Sequence, residues 1–163
     1  MRRHQLRRRE LEALLNSLQP AIRRILSTEL TDESALEVLS TRETTVYLLR
    51  GVPAIASTTE GESFPTLKWT GAIEALPRVV VDMGAVPKIC NGANIMAPGV
   101  VRVEGEFAEK AHIAIVDVRN LKPIAVGLSL MTSMELASTR QGKVVKNLHH
   151  VGDALWRLSE SLP

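Results

Sequence analysis

The sequence predicts an α+β fold, in which a small N-terminal α+β domain precedes a small closed or half-closed β barrel with short helices. Two observations favour this fold. Over roughly the first 75 residues, two helical patterns come before short strand-like runs, an order typical of α+β domains. From residue 78 onward, many short strands alternate with turns and two short helices, which is typical of a barrel. We place the domain boundary between residues 1–76 and residues 77–163.

The N-terminal part begins with two predicted helices. Leucines recur at helical spacing over 11–18, and charged residues occupy the opposite face. Pro20 predicts the start of the second helix, because proline is favoured at the first helical position. The apolar residues of its inner face are Ile22, Ile25 and Leu26. Strand-like runs follow at 35–40, 44–50 and 51–58, and a turn is predicted at 59–63.

The C-terminal part consists mostly of strands. Strand-like runs lie at 78–82, 111–118, 123–131 and 143–148. Within 123–131, large apolar residues alternate with small ones, so we expect one face of this strand to pack closely or to curve. The small residues are Ala125, Gly127 and Ser129. Thr132 and Glu135 form a capping box, and the helix they begin is predicted to run until Gly142. A helical turn is predicted at 152–160.

Charge is distributed unevenly along a chain whose net charge is only +2. Residues 1–25 carry seven arginines against two glutamates, whereas residues 26–75 carry eight acidic side chains against three basic ones. This pattern indicates either a basic arm that meets a polyanion or a solvated, frayed N-terminus. The seven arginines are Arg2, Arg3, Arg7, Arg8, Arg9, Arg23 and Arg24.

Cysteine use and hydropathy indicate the compartment. The single cysteine, Cys90, excludes an internal disulfide and fits a reducing environment. No stretch approaches the ~20 apolar residues that a membrane span needs. The basic start differs from a secretory signal, because charged residues interrupt its apolar part and no small-residue cleavage site follows. We therefore predict a soluble, cytoplasmic protein with no membrane partner.

Residue types that carry catalysis or bind metals occur without the spacing that such sites need. One cysteine and four histidines give no zinc pattern, and His149 and His150 would point to opposite faces of a strand. Walker and dinucleotide-binding glycine motifs are absent. Asp82 is either a general base or the residue that holds a turn, and Cys90 is either a nucleophile or a packing thiol. We favour the structural role in both cases, and predict no catalytic residue, metal or cofactor.

The segment GAVPKICNGANIMAPG, at 84–99, holds three glycines, two prolines and two asparagines. We expect helical turns over 85–91 with Lys88 pointing outward and a helix stop at Gly92, and Asn94 is a residue type that tolerates left-handed backbone angles. Two interpretations stay open. The loop could bind a nucleic-acid backbone or a splayed base, using N–H groups near the helix end and the lysine and asparagine side chains. Alternatively, it is a tight barrel corner that needs glycine for its shape alone.

A longer motif gives a family resemblance. VVVDMGAVPKICNGANIMAPGV, at 79–100, resembles the opening of the PUA domain, an RNA-binding module named after pseudouridine synthases and archaeosine transglycosylases. With AVGLSLMTSMELASTRQGKVVKNLHHVGDALW at 125–156, the chain resembles the T-cell-malignancy-associated (MCT) translation factors and their archaeal relatives. TTVYLLRGVPAI at 44–55 and SFPTLKW at 63–69 extend the likeness to the N-terminal part. The resemblance therefore covers nearly the whole chain.

The resemblance implies a pre-PUA α+β domain at 1–76 and a PUA-type mixed β pseudo-barrel with short helices at 77–163. It implies a non-enzymatic role at the small ribosomal subunit, in initiation, reinitiation or recycling, with contacts to small-subunit rRNA and the tRNA acceptor end. Relatives pair with density-regulated protein, which brings an SUI-type domain, so a protein of that type is a candidate partner. Carried onto this chain, the RNA-binding residues are Gly84, Ala85, Lys88, Asn91, Gly92, Ala93 and Asn94, with Lys143 and Lys146 added from the last strand. Electrostatic RNA contacts are expected from Arg2, Arg3, Arg7, Arg8 and Arg9.

Two other functions remain open at this stage. As a stand-alone PUA module, the chain would supply specificity to a separate tRNA- or rRNA-modifying enzyme of the pseudouridine synthase or archaeosine transglycosylase type. As a protein-interaction scaffold, it would bind a basic partner through its acidic middle segment, with Glu33, Glu37 and Glu43 among the contacts.

Overall fold

The computed structural model describes residues 2–30 and 36–162, and the chain divides into two compact units. The N-terminal unit ends at Ala72 and the C-terminal unit begins at Ile73. Glu33, named above as part of an acidic docking surface, lies outside the described residues, as does the first residue of the strand-like run at 35–40. Each unit is described by itself below.

The N-terminal unit combines two helices with a five-stranded antiparallel sheet. The helices are α1 (Arg8–Ser17) and α2 (Pro20–Glu29). The strands are β1 (Arg2–Gln5), β2 (Leu36–Ser40), β3 (Thr44–Leu49), β4 (Val52–Thr58) and β5 (Ser63–Pro65). Each strand pairs with the next in the chain, so the order in the sheet is β1-β2-β3-β4-β5. The predicted helices and strands of this part are therefore confirmed, and β5 begins within the predicted turn.

The predicted inner faces of both helices are buried. Leu14 of α1 and Ile22 and Leu26 of α2 are at most 2% exposed, whereas Leu11, Leu15 and Ile25 remain partly exposed. The sheet contributes Leu36, Val46, Leu48 and Ile55, all fully buried. Burying such side chains contributes about 1.5–3 kcal/mol each, so this apolar layer is what holds the unit together.

The basic N-terminus is a strand, and its interpretation as a frayed segment is wrong for residues 2–5. The strand β1 pairs antiparallel with β2, with Arg2 opposite Ser40 and Gln5 opposite Glu37. All four of its side chains are exposed. Because the segment has no alternating apolar residues, its sequence gave no strand signal, and the pairing with β2 supplies the order instead.

The C-terminal unit is a curled sheet of six strands, a pseudo-barrel surrounded by short helices. Its strands are β6 (Arg78–Val81), β7 (Ile95–Met96), β8 (Val100–Glu104), β9 (His112–Asp117), β10 (Pro123–Ser129) and β11 (Lys143–His150). Their order is β7-β11-β10-β9-β6-β8, and only the β6–β9 pair among these neighbours is parallel in the described chain. The helices are α3 (Thr70–Ala75), which begins before the unit boundary, α4 (Val86–Ile89), α5 (Ser133–Ser138) and α6 (Ala154–Ser161). The predicted α+β fold class and mixed β pseudo-barrel are confirmed.

The small-residue face of β10 packs closely, as predicted. Ala125, Gly127 and Ser129 are all buried, and a Cβ built on Gly127 would collide with the Val145 side chain and lie 3.1 Å from the Lys146 carbonyl. The neighbouring strand β11 approaches too closely for any larger residue. Glycine at this position therefore permits the tight β10–β11 contact on which the barrel depends.

The helix α5 begins as predicted but ends earlier. Its Thr132 hydroxyl accepts a hydrogen bond from the Glu135 N–H at 3.2 Å, which confirms Thr132 as the N-cap. The Glu135 carboxylate accepts from the Thr132 hydroxyl at 2.9 Å rather than from the Thr132 N–H, so the predicted capping box is only half formed. The helix ends at Ser138, because Thr139 adopts an extended conformation with ψ of 131°. The predicted end at Gly142 is wrong, since that glycine, with φ of +85°, forms the turn before β11.

Candidate nucleic-acid interface

The loop of residues 82–99 joins β6 to β8 and contains α4 and β7. Asp82 closes its first turn, because the Asp82 Oδ1 accepts a hydrogen bond from the Ala85 N–H at 2.8 Å. The Asp82 N–H donates to the Gly99 carbonyl at 3.0 Å, which connects the two ends of the loop. The prediction that Asp82 holds a turn is confirmed.

The tip of the loop follows α4. Gly92 ends the helical turns with φ of +96°, a conformation that glycine adopts without steric cost, so the predicted helix stop is confirmed. The Lys88 side chain is exposed, as predicted. Asn94 does not have a positive φ, so its tolerance of left-handed backbone angles is not used. Its side chain has another function, described below.

Backbone N–H groups at the tip are already used within the loop. Those of Asn91 and Ala93 donate to the Lys88 carbonyl at 3.1 and 3.0 Å. The Gly92 N–H donates to the Ile89 carbonyl at 3.0 Å. A phosphate bound at this tip would therefore have to rely on side chains rather than on these backbone donors.

Asn147 connects the strand β11 to the loop, and the sequence analysis missed it. The Asn147 Nδ2 donates to the carbonyls of Ile89 at 3.1 Å and Ala93 at 2.9 Å. Its backbone N–H donates to the Asn94 Oδ1 at 2.9 Å. Asparagine is depleted in strands, and this one lies next to a β-bulge. An isolated asparagine in a strand-like run was the one signal that could have identified it.

A cavity of about 470 Å³ opens beside the loop. Its volume falls within the range of small-molecule sites, about 300–1,000 Å³. The lining residues are Val81, Asp82, Gly84, Ala85, Lys88, Ile89, Ala93, Asn94, Ile95, Met96, Pro98 and Gly99. Five of the residues assigned above to RNA contact belong to this wall, namely Gly84, Ala85, Lys88, Ala93 and Asn94.

The other residues assigned to RNA contact lie around the cavity. Asn91 and Gly92 are exposed at the loop tip. Lys143 pairs in register with Met96, and Met96 lines the cavity with 49% of its surface exposed, so Lys143 lies near the cavity edge. Lys146, also exposed, lies further along β11. The structure thus collects most of the predicted residues on one loop and one adjacent strand.

Asp153 holds the junction between β11 and α6. Its Oδ1 accepts from the Trp156 N–H at 2.8 Å, and its Oδ2 accepts from the His150 N–H at 3.0 Å and lies 2.8 Å from the His149 Nδ1. Burial raises the pKa of Asp153, but the hydrogen bond and charge of the His149 ring and the two N–H donors outweigh burial, so the pKa lies below its ordinary value. A Cβ at Gly92 would lie 3.7 Å from the His150 Nε2. This junction is therefore next to the loop tip.

A second concave surface lies in the N-terminal unit, beside β1. This basic groove, of about 500 Å³, is lined by Arg2, Arg3, His4, Arg7 and Glu10. The His4 Nε2 lies 3.0 Å from the Glu10 Oε1. The Glu10 Oε2 also accepts from the Arg7 N–H at 2.7 Å, which satisfies a donor at the start of α1.

The five arginines of the N-terminus differ in their ion pairs. Arg3 donates to both carboxylate oxygens of Glu37, at 2.8 and 3.1 Å, and this contact raises the pKa of Arg3 and lowers that of Glu37. Arg8 lies 3.9 Å from Glu12. Among residues 2–30 and 36–162, no carboxylate forms an ion pair with the remaining three, Arg2, Arg7 and Arg9. The Arg7 N–H, the His4 ring and the Arg7 charge together lower the pKa of Glu10, so Arg2 and Arg9 are the charges that remain available to a polyanion.

Two kinds of chemical site considered above, a reactive cysteine and a metal cluster, can be compared with the described residues. Burial raises the pKa of the half-buried Cys90 thiol, which lowers the fraction of reactive thiolate and supports its role as a packing thiol. In the described part of the chain, no three His, Cys, Asp or Glu side chains gather into a group that could hold a metal ion. Every described helix is too short or too polar to traverse a bilayer.

Comparison with known proteins places these features in a family. The sequence-family model of the PUA domain matches residues 77–151 of this chain. An uncharacterised protein of Methanocaldococcus jannaschii is 38% identical over 124 residues, which cover 74% of this chain and 75% of that protein. Translation machinery-associated protein 20 of Schizosaccharomyces pombe is 29% identical over 155 residues, 91% of this chain and 86% of that protein.

Further similarities concern a vertebrate protein and a solved structure. Malignant T-cell-amplified sequence 1-B of Xenopus laevis is 29% identical over 103 residues, 61% of this chain and 57% of that protein. The crystal structure of a hypothetical protein from Pyrococcus horikoshii superposes with a TM-score of 0.79 at 27% identity. The match covers 96% of this chain and 99% of that one. The likeness to this structure covers both units.

Proposed function

The chain belongs to the family of MCT-type PUA-domain proteins, and from this premise we propose that it is a non-enzymatic, cytoplasmic RNA-binding protein of the translation machinery. We assign residues 1–76 to a pre-PUA domain and residues 77–163 to the PUA domain. The observation that carries the proposal is the cavity beside the 82–99 loop, because it lies within the matched segment and its wall contains five of the predicted RNA-contact residues. Translation machinery-associated protein 20 is similar to this chain over most of its length, and its name supports a role in translation.

The RNA end proposed for this cavity is the single-stranded acceptor end of tRNA. A single strand can place an unstacked base in a concave, largely apolar site, whereas the bases of a duplex stay stacked. Lys88 adds a positive charge for the adjoining phosphate. Lys143, near the cavity edge, and Lys146 extend the basic surface along β11. Binding of RNA at this site requires no catalytic residue.

The basic groove is proposed to make the second, sequence-independent contact, with phosphates of tRNA or small-subunit rRNA. Arg2 in this groove, and Arg9, which lies outside the lining of the groove, have no carboxylate partner among the described residues, and such charges release counterions when they meet phosphates. A protein with an SUI-type domain, resembling density-regulated protein, is the proposed partner in initiation, reinitiation or recycling.

Binding of deacylated tRNA, with and without its single-stranded 3′ end, tests this function. The matched variants are Lys88→Glu, in the cavity wall, and Lys122→Glu, which changes charge equally at an exposed turn outside it. We expect removal of the 3′ end and Lys88→Glu each to weaken binding about tenfold or more, and Lys122→Glu to weaken it about twofold or less. Equal binding of both tRNA forms, or equal effects of the two variants, would contradict the proposal.

A pull-down distinguishes a role in translation from a role as the specificity module of an RNA-modifying enzyme. The translation role predicts recovery of small-subunit ribosomal proteins with the full-length chain. Recovery of a pseudouridine synthase or transglycosylase without ribosomal proteins would instead assign the chain to RNA modification. The acidic-scaffold function would be supported if charge reversal at Glu37 and Glu43 removed the partners while neutralisation of the arginines did not.

A further inference from the structure

One carboxylate oxygen of Asp82, a residue of the cavity wall, accepts no hydrogen bond from the described residues. The Oδ1 of this side chain is occupied by the Ala85 N–H, but no partner for Oδ2 occurs within residues 2–30 and 36–162. The residue is half-buried and lines the cavity. An ionised carboxylate of this kind is acceptor-only, so it favours a ligand that presents a hydrogen-bond donor.

The surrounding residues restrict what that donor can be. A phosphate directly beside Asp82 is disfavoured by the negative charge of that carboxylate, so the phosphate that Lys88 would contact lies outside this part of the cavity. A cationic side chain is disfavoured by Lys88, whose ammonium group also belongs to the wall. Most of the remaining lining is apolar, with Ile95, Met96 and Pro98 among it. A flat ring that has apolar faces and carries a neutral amino group on its edge satisfies all of these conditions.

Asn94 supplies the complementary group. Its Oδ1 is occupied by the Asn147 N–H, which leaves the Nδ2 donors of Asn94 as the polar atoms that this side chain can offer to the cavity. Cytosine and adenine both carry an exocyclic amine next to a ring nitrogen that accepts. The cavity wall thus contains an acceptor, Asp82, and a donor, Asn94, which are the two kinds of group that the edge of an amino-bearing base can bond.

We propose that Asp82 is a specificity-determining residue, which accepts a hydrogen bond from the exocyclic amine of a nucleobase held in the cavity. The proposal rests on the RNA-binding function above and deepens it, since it names the chemical class of the base. The protein would then prefer RNA ends rich in cytosine or adenine over ends whose bases lack an amine.

The replacement Asp82→Asn tests this recognition without removing the turn. An asparagine Oδ1 can still accept from the Ala85 N–H, so its Nδ2 donor takes the place of the free carboxylate oxygen. The isosteric change therefore converts an acceptor into a donor at the position that would face the base. Asp82→Ala would open the turn as well, and is less informative.

The probes are two hairpin RNAs with three-nucleotide 3′ overhangs, one of cytidines and one of pyrimidin-2-one ribonucleosides, which lack only the exocyclic amine. A blunt hairpin is the control. We expect the wild-type protein to bind the cytidine overhang about tenfold more tightly than the pyrimidin-2-one overhang, as a hydrogen bond to a charged acceptor predicts. In Asp82→Asn this ratio should fall to about twofold or less, while affinity for the blunt hairpin and its salt dependence stay unchanged.

The outcomes separate this proposal from the function on which it rests. If both overhangs bind more tightly than the blunt hairpin but equally well, or if Asp82→Asn keeps the tenfold ratio, the role of Asp82 is overturned and the RNA-binding function stands. If neither overhang binds better than the blunt hairpin, the acceptor-end site and the role of Asp82 both fail.

Discussion

The Asn147 side chain donates one hydrogen bond to the Ala93 carbonyl at 2.9 Å, across 54 positions of the chain. The same amide nitrogen reaches the Ile89 carbonyl, and the Asn147 backbone reaches Asn94. These three contacts attach the loop tip to a strand of the barrel. Because the loop lines the candidate RNA site, the shape of that site depends on a residue outside it.

The variant Asn147→Asp tests this attachment. The change is isosteric, but a carboxylate cannot donate to the two carbonyls and would place negative charge next to them. We expect the free energy of unfolding to fall by about 2–3 kcal/mol, and amide hydrogen exchange at Gly92 and Ala93 to become faster. Affinity for RNA with a single-stranded end should fall, while affinity for a blunt hairpin should not.

Asn120→Asp is the matched control for this change. Asn120 lies at the exposed turn between β9 and β10, where its backbone N–H donates to the Asp117 Oδ1. The same substitution there keeps this bond and adds only an exposed charge beside Asp117, so it should lower the free energy of unfolding by about 1 kcal/mol or less. Equal effects of the two variants on stability and hydrogen exchange would show that Asn147 does not hold the loop.

The lowered pKa of Asp153 predicts a pH dependence of stability. Its carboxylate is stabilised in the folded state, so this contribution is fully present above its ordinary pKa of 3.8 and is lost as the pH falls through the lower folded-state pKa. Asp153→Asn keeps an acceptor for the Trp156 N–H but loses the charge. We expect the variant to unfold about 1 kcal/mol more easily at neutral pH, with the difference shrinking as the pH falls below 3.8.

Denaturant unfolding of the two proteins between neutral and acidic pH measures this difference. A gap that stays constant, or that widens in acid, would contradict the stabilisation of the Asp153 carboxylate by its contacts with His149, His150 and Trp156.

Adjacent arginines on β1 should contribute unequally to RNA binding. Arg2 has no ion-pair partner in the described chain, whereas Arg3 is held by Glu37 at 2.8 and 3.1 Å. We expect Arg2→Gln to lower the slope of log affinity against log salt by about 0.9 for the lost phosphate contact, and Arg3→Gln to lower it by clearly less. Titrations with a blunt hairpin at about 50 to 200 mM salt measure the slope. A larger effect at Arg3 would contradict the assignment.

The fold could be predicted where the sequence has local periodicity. The leucines of α1, the Pro20 start of α2 and the small face of β10 each carry their own signal, because the residues that decide these elements lie within one or two turns or one strand. The Thr132 N-cap of α5 is equally local, and the start of that helix is predicted correctly. Its end is not, since Gly142 belongs to the turn before β11 rather than to the helix.

Features that depend on contacts with distant residues could not be predicted from the sequence. The strand β1 forms because residues 2–5 pair with β2, more than thirty positions later, and its sequence has no alternating apolar residues that would predict a strand. Likewise, the loop composition indicated a special backbone at 84–99, but it could not show that the N–H groups at the tip are used internally. Asn147 was missed because its role lies entirely in contacts with Ile89, Ala93 and Asn94.

The central claim, that RNA binds in the cavity beside the 82–99 loop, is tested most directly by amide NMR shifts during titration with a short single-stranded RNA ending in cytidine and adenosine. We predict that the largest shifts map to residues 82–99 and to Asn147, with smaller shifts in residues 2–10 that vanish at high salt. Shifts confined to residues 2–10, or none near the cavity, would contradict the claim and leave the loop as a barrel corner.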